Sequence, residues 1–117
     1  MSDIRIRIDT RFFRLTIYRQ ALKAIGNPPF IYLGYQPETR RLMIMGSWVD
    51  DRKSIRVHYD SPTIYVFSAA LLRGIRQVSR ILMEEGSYSV EGEAYSTEAI
   101  LIFPLGNAEM SPEAGKE

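Results

Sequence analysis

Arginine is the residue with the most chemistry to offer in this chain. It outnumbers lysine 12 to 3, and most of it falls early, at Arg5, Arg7, Arg11, Arg14, Arg19, Arg40 and Arg41, with Lys23 among them. A guanidinium presents donors in a flat fork that fits two phosphate oxygens or the acceptor edge of guanine, and a row of cations on a duplex releases counterions. The pattern therefore points to nucleic acid, held by phosphates and by bases. The same residues fit two plainer roles. They could form a charged strand face that discourages edge aggregation, or pair with acidic surface in this chain or a partner. Residues 1–58 hold 11 Lys and Arg against 5 Asp and Glu, a balance of +6, whereas residues 59–117 hold 4 against 9, a balance of −5. Either the molecule has one basic and one acidic face, or folding blends the two halves into a mixed surface.

The other reactive residues assemble into nothing that catalysis needs. His58 is the only histidine and cysteine is absent, so a zinc site would have to rely on carboxylates. Glu91 and Glu93 share a strand face, with Glu84-Glu85 upstream, but no nucleophile accompanies them. Ser68 reads as a helix cap, because no nucleophile-elbow sequence surrounds it. Phosphate-loop, dinucleotide and metal motifs are missing. The expectation is a non-enzyme with no cofactor, no metal and no small-molecule substrate. Phe12, Tyr18, Tyr32, Tyr35 and Trp48 could stack on bases but are expected in the core or an interface.

The elements that must position the arginines follow from periodicity. Ile4, Ile6 and Ile8 alternate with Arg5 and Arg7, a strand with its isoleucines inward. Phe13, Leu15 and Ile17 alternate with Arg14, Thr16 and Tyr18 in a second strand, which leaves Arg14 outward and open to charge reversal without loss of fold. Ala21, Leu22 and Ile25 mark a short helix stopped by Gly26-Asn27-Pro28-Pro29. Two more strands, 30–35 and 41–45, flank a turn at 36–40. The order then starts again. Ile55 to Ser61 echoes Ile4 to Thr10, Ile64 to Phe67 echoes Leu15 to Tyr18, and Ala70-Leu71 echoes Ala21-Leu22. Tyr88, Val90 and Gly92 echo Phe30, Tyr32 and Gly34, and Ile100 to Phe103 echoes Leu42 to Met45. The second helix is longer, with Leu71, Ile75, Val78 and Leu82 as its expected buried face.

The organisation so read is one domain over 1–105, with repeat one at 4–46, a linker at 47–54 and repeat two at 55–104. The segment 106–117, small and polar, reads as a disordered tail. The absence of cysteine, of a signal-peptide core and of a long apolar run leads to the expectation of a cytoplasmic, non-membrane protein.

The stretch from Asp9 to Gly26, Asp-Thr-Arg-Phe-Phe-Arg-Leu-Thr-Ile-Tyr-Arg-Gln-Ala-Leu-Lys-Ala-Ile-Gly, followed by a hairpin ending Arg-Arg-Leu-Met-Ile, resembles the AbrB/MraZ family of bacterial DNA-binding domains. It is also similar to small uncharacterised bacterial proteins with an Ala-Leu-x-Ala-Ile/Leu-Gly-Asn-Pro segment. The likeness covers residues 4–46 well and 55–104 loosely. Tyr18 stands where the family usually has Pro, and Asn27-Pro28-Pro29 replaces its Gly-Asp step. The resemblance implies an α+β, β-rich fold, a pseudo-twofold swapped-hairpin β-barrel from two β-β-α-β-β repeats. It further implies a small bacterial protein that binds double-stranded DNA, such as a transcriptional regulator. The arginines of repeat one, with Lys23, would then be the binding residues. The alternative is a non-catalytic interaction module or an oligomeric subunit, including a homodimer.

Overall fold

The computed structural model describes residues 4–110. Among these residues the chain is β-rich, with ten strands in two antiparallel five-stranded sheets and two α-helices. In order these are β1 (Arg5–Asp9), β2 (Arg14–Tyr18), α1 (Arg19–Lys23), β3 (Phe30–Gln36), β4 (Arg41–Ser47), β5 (Ile55–Arg56), β6 (Thr63–Phe67), α2 (Ala69–Ser79), β7 (Ser87–Glu91), β8 (Glu93–Tyr95), β9 (Ile100–Pro104) and β10 (Glu109–Met110). The first sheet runs β10-β7-β1-β2-β6 and the second β5-β3-β4-β9-β8.

Alternation explains the first sheet. Ile6 and Ile8 of β1, Leu15 and Ile17 of β2, Ile64 and Val66 of β6, and Tyr88 and Val90 of β7 all turn inward and are buried. They share one core with Ile31, Leu42, Ile44, Leu101 and Phe103 of the second sheet. A shift of one residue in any of these strands would turn its apolar set to water, so the pattern fixes the register.

Chain passes from the first sheet to the second through Gly92, the single residue between β7 and β8. A methyl group there would lie 2.3 Å from the Ile102 carbonyl oxygen and 2.5 Å from Cδ1 of Phe103. Only glycine lets the two strands approach so closely. The N–H of Gly92 donates to the carbonyl of Ile4 at 2.8 Å, which ties the corner to the start of β1.

The helices cover opposite ends of the molecule. Helix α1 follows the C-terminal end of β2 and α2 follows that of β6, and these two strands are antiparallel neighbours. Helix α1 ends earlier than expected, at Lys23 with Ala24 as a right-handed C-cap, so Ile25 is buried from the turn that follows, in which Gly26 takes φ +91°. Helix α2 starts with the Ser68 hydroxyl accepting from the Leu71 N–H at 3.2 Å. Its buried face differs from the expected one. Leu72, Ile75 and Ser79 are buried, Val78 is 62% exposed, and Leu71 is half-buried. The helix ends sooner than its apolar spacing suggests, because Arg80 adopts the left-handed conformation (φ 56°) as C-cap. Leu82 is therefore buried from the loop that follows.

One further expectation shifts. Of the segment 106–117 read as a tail, Gly106 and Asn107 belong to a 3-10 turn over Leu105–Asn107, and β10 pairs with β7 in the register Glu109↔Ser89. Residues 111–117 lie outside the described residues. In the linker, residues 48–53 are exposed, and the Asp51 carboxylate accepts from the N–H groups of Lys53 (2.9 Å) and Ser54 (3.0 Å) and from the Tyr32 hydroxyl. That hydroxyl holds the Asp51 carboxyl below its usual pKa range. No helix among the described residues is long and apolar enough to cross a membrane.

Candidate nucleic-acid interface

The outer face of the first sheet collects what its inner face rejects. Arg5 and Arg7 alternate with the buried isoleucines of β1, and Arg14 alternates with Leu15 on β2. The registers set these residues in rows across the face. One row runs Ser87, Asp9, Arg14, Phe67, and the next runs Ser89, Arg7, Thr16, Tyr65. Arg5 stands between Glu91 of β7 and Tyr18 of β2, with its guanidinium 5.7 Å from the Tyr18 ring centre.

Asp9 organises the β1–β2 turn. Its carboxylate is almost wholly buried, accepts the Arg11 main-chain N–H at 3.0 Å, and lies 3.4 Å from Arg11 Nε and 3.7 Å from an Arg14 terminal nitrogen. A buried carboxylate needs such partners, since desolvation without them is expensive. Arg14 is further held between aromatic rings, 5.9 Å from the centre of Phe12 and 5.1 Å from that of Tyr65. Such cation–π contacts align a guanidinium and leave its edge able to donate.

The expected aromatic core residues divide. Phe12 and Trp48 are 60% and 57% exposed, which corrects the core assignment for both, while Tyr18, Tyr32 and Tyr35 are half-buried. Tyr65 and Phe67, 54% and 66% exposed, join the outer face. Alternation along 63–67 could have found them, because Ile64 and Val66 claim the inward positions.

The eight expected binding residues form three groups. Arg5, Arg7, Arg11 and Arg14 lie on or beside the outer face. Arg19 and Lys23 sit on α1 in a cleft shared with Tyr18, Gln20, Asn27 and Pro62, continuing the surface past Tyr18. Arg40 and Arg41 lie elsewhere, at the β3–β4 turn. Arg41 donates to Thr39 Oγ1 (3.1 Å) and Gln36 Oε1 (3.0 Å) and shares its cleft with Glu91 and Glu93. Glu91 also shares a cleft with Arg5, so an acidic edge separates this pair from the face.

The remaining candidates stay scattered. His58 is exposed, and among the described residues no three metal-binding side chains come together. Tyr59, next to it, donates its hydroxyl to the Pro28 carbonyl at 2.6 Å, and burial pushes its pKa up to about 12. Compared with known families, curated proteins and solved structures, the chain gives no match.

Proposed function

We propose that this chain is a small DNA-binding protein, of the kind that regulates transcription in the bacterial cytoplasm, and that the outer face of its first sheet meets the duplex. The observation that carries the reading is the row structure of that face. Arg5, Arg7 and Arg14 project from adjacent strands of a rigid sheet, and Tyr18, Tyr65 and Phe67 stand between or beside them. Arginines on a sheet can follow a phosphate backbone, while flanking rings offer apolar contact to sugars and bases.

Two strand registers support the swapped-hairpin, pseudo-twofold architecture that goes with this reading. The repeat equates Leu15 with Ile64 and Ile17 with Val66. In the β2–β6 ladder Leu15 pairs with Val66 and Ile17 with Ile64, so exchanging equivalent residues returns pairs already present. The β4–β9 ladder behaves alike, with Leu42 on Phe103 and Met45 on Ile100. The β1–β7 pairing has a counterpart in β5–β3 as strands but not in register, since the repeat turns Arg56↔Phe30 into Arg5↔Tyr88 whereas Arg5 pairs with Glu91.

The test is fluorescence anisotropy with a labelled random-sequence duplex at low and moderate salt. Binding at about 50 mM salt that weakens by orders of magnitude towards 200 mM is expected for several phosphate contacts. No binding at the lower salt would end this reading.

A second reading has its own observation. Strand β6 is the end strand of its sheet, and its outward residues Thr63, Tyr65 and Phe67 carry no charge. Uncharged edge strands invite pairing, so β6 also fits contact with a second copy of this chain.

A further inference from the structure

Helix α2 carries a second cluster of arginines, and it lies outside the residues the first repeat singles out. Arg73 and Arg76 are spaced i and i+3 on one face of the helix, and Arg80 follows as its left-handed C-cap. They line a single cleft of about 370 Å³ with Gln77 and Met83. The helix has no acidic residue, and Glu84, four residues after Arg80, lies beyond its end. Among the described residues none of the three makes an ion pair. Like charges so placed cost stability in a helix, and an incoming anion would remove that cost.

Two of the three are already oriented. Arg76 donates to the Met83 carbonyl at 2.7 Å, which holds the loop after α2 as one wall of the cleft. Arg73 lies 4.7 Å from the ring centre of Phe13 in the β1–β2 turn. That turn is fixed to the start of α2, since the Ser68 N–H donates to the Phe13 carbonyl at 2.9 Å. Arg73 therefore joins the cleft to the turn that carries Arg11 and leads into Arg14.

We infer that this cleft is an anion site for a phosphodiester of nucleic acid, and that the strand leaving the outer face of the first sheet passes the β1–β2 turn and enters it. The inference rests on the DNA-binding reading above. Arg73 and Arg80 would supply the forks, with Arg76 holding the wall.

The experiment is an NMR titration of the full chain with a short random-sequence duplex at low salt, reading amide and arginine Nε–H shifts. Saturable shifts are expected at both Arg5–Arg14 and Arg73–Met83. Shifts confined to the first group would overturn the α2 site and leave the DNA-binding face standing. Shifts confined to the second would keep the site and overturn that face, and shifts at neither would remove both. A double variant, Arg73→Gln with Arg80→Gln, checks the energetics. The slope of log affinity against log salt should become shallower by about 2, with the melting temperature read in parallel. An unchanged slope in a folded variant would also overturn the site.

Discussion

At the scale of single residues, Asp9 separates arginines that serve the fold from those free to serve a ligand. Arg14 was expected to tolerate charge reversal because it alternates outward on β2. The structure corrects this, because its guanidinium approaches a buried carboxylate and is framed by two rings. An Arg14→Glu change would set a second carboxylate against Asp9. Breaking a fully buried pair costs roughly 3–5 kcal/mol, and partial exposure of Arg14 reduces that to about 2 kcal/mol. Arg5 has no such duty, being exposed and contacting Tyr18. Arg5→Gln should leave stability within about 0.5 kcal/mol and make the salt slope of DNA binding shallower by about 1. Urea unfolding and anisotropy on both variants check the split. Equal stability for the two would mean that the Asp9 cluster does little, and full DNA affinity in Arg5→Gln would remove Arg5 from the interface.

At the scale of elements, Gly34 and Gly92 make the sharpest contrast. The sequence pattern matches them, but the ladders do not: Gly34 pairs with Met43 inside the β3–β4 hairpin, Gly92 lies between two strands, and a methyl group on Gly34 would meet nothing within 4 Å. On Gly92 it would strike backbone and the Phe103 ring. Gly92→Ala should therefore destabilise by about 1–3 kcal/mol, as overpacking does, and Gly34→Ala should be neutral or stabilise by up to about 1 kcal/mol through the unfolded chain. Thermal melts of the two variants test this, and matching losses would mean that the corner at Gly92 is loose. The sequence made the strands legible, because a period of two leaves little choice about which side faces the core. Ile6, Ile8, Leu15 and Ile17 are buried where alternation put them. The crowding at Gly92, the early stop of α2 and the cleft of Arg73, Arg76 and Arg80 were not legible. Each depends on what a distant segment brings near, and neither composition nor periodicity carries that.

At the scale of the whole molecule, the free edge of the first sheet has a definite hydrogen-bonding parity. Arg19 donates to the Pro62 carbonyl and Ser68 to that of Phe13, so the even-numbered residues 62 to 68 direct their main-chain groups towards β2. Those of Thr63, Tyr65 and Phe67 point the other way, as alternation in an antiparallel ladder requires. A second copy of β6 placed antiparallel about Tyr65 would set Tyr65 opposite Tyr65 and Thr63 opposite Phe67. Both members of each such pair would have their groups turned inward to the new ladder. No charge on the strand opposes this pairing, and Tyr65 and Phe67 would gain cover that the single chain does not provide. The joined sheets would present two arginine rows on one continuous surface, so pairing through β6 would extend the face proposed to bind DNA without covering it. A five-residue strand buries less than the standard stable interface of roughly 800 Å² per partner, so the dimer should be weak. Sedimentation velocity should then show a concentration-dependent shift from monomer towards dimer. A Phe67→Lys change should abolish it while leaving the melting temperature nearly unchanged, because Phe67 is mostly exposed. A wild-type chain that sediments as a monomer throughout the micromolar range would leave β6 without a copy of itself to pair with.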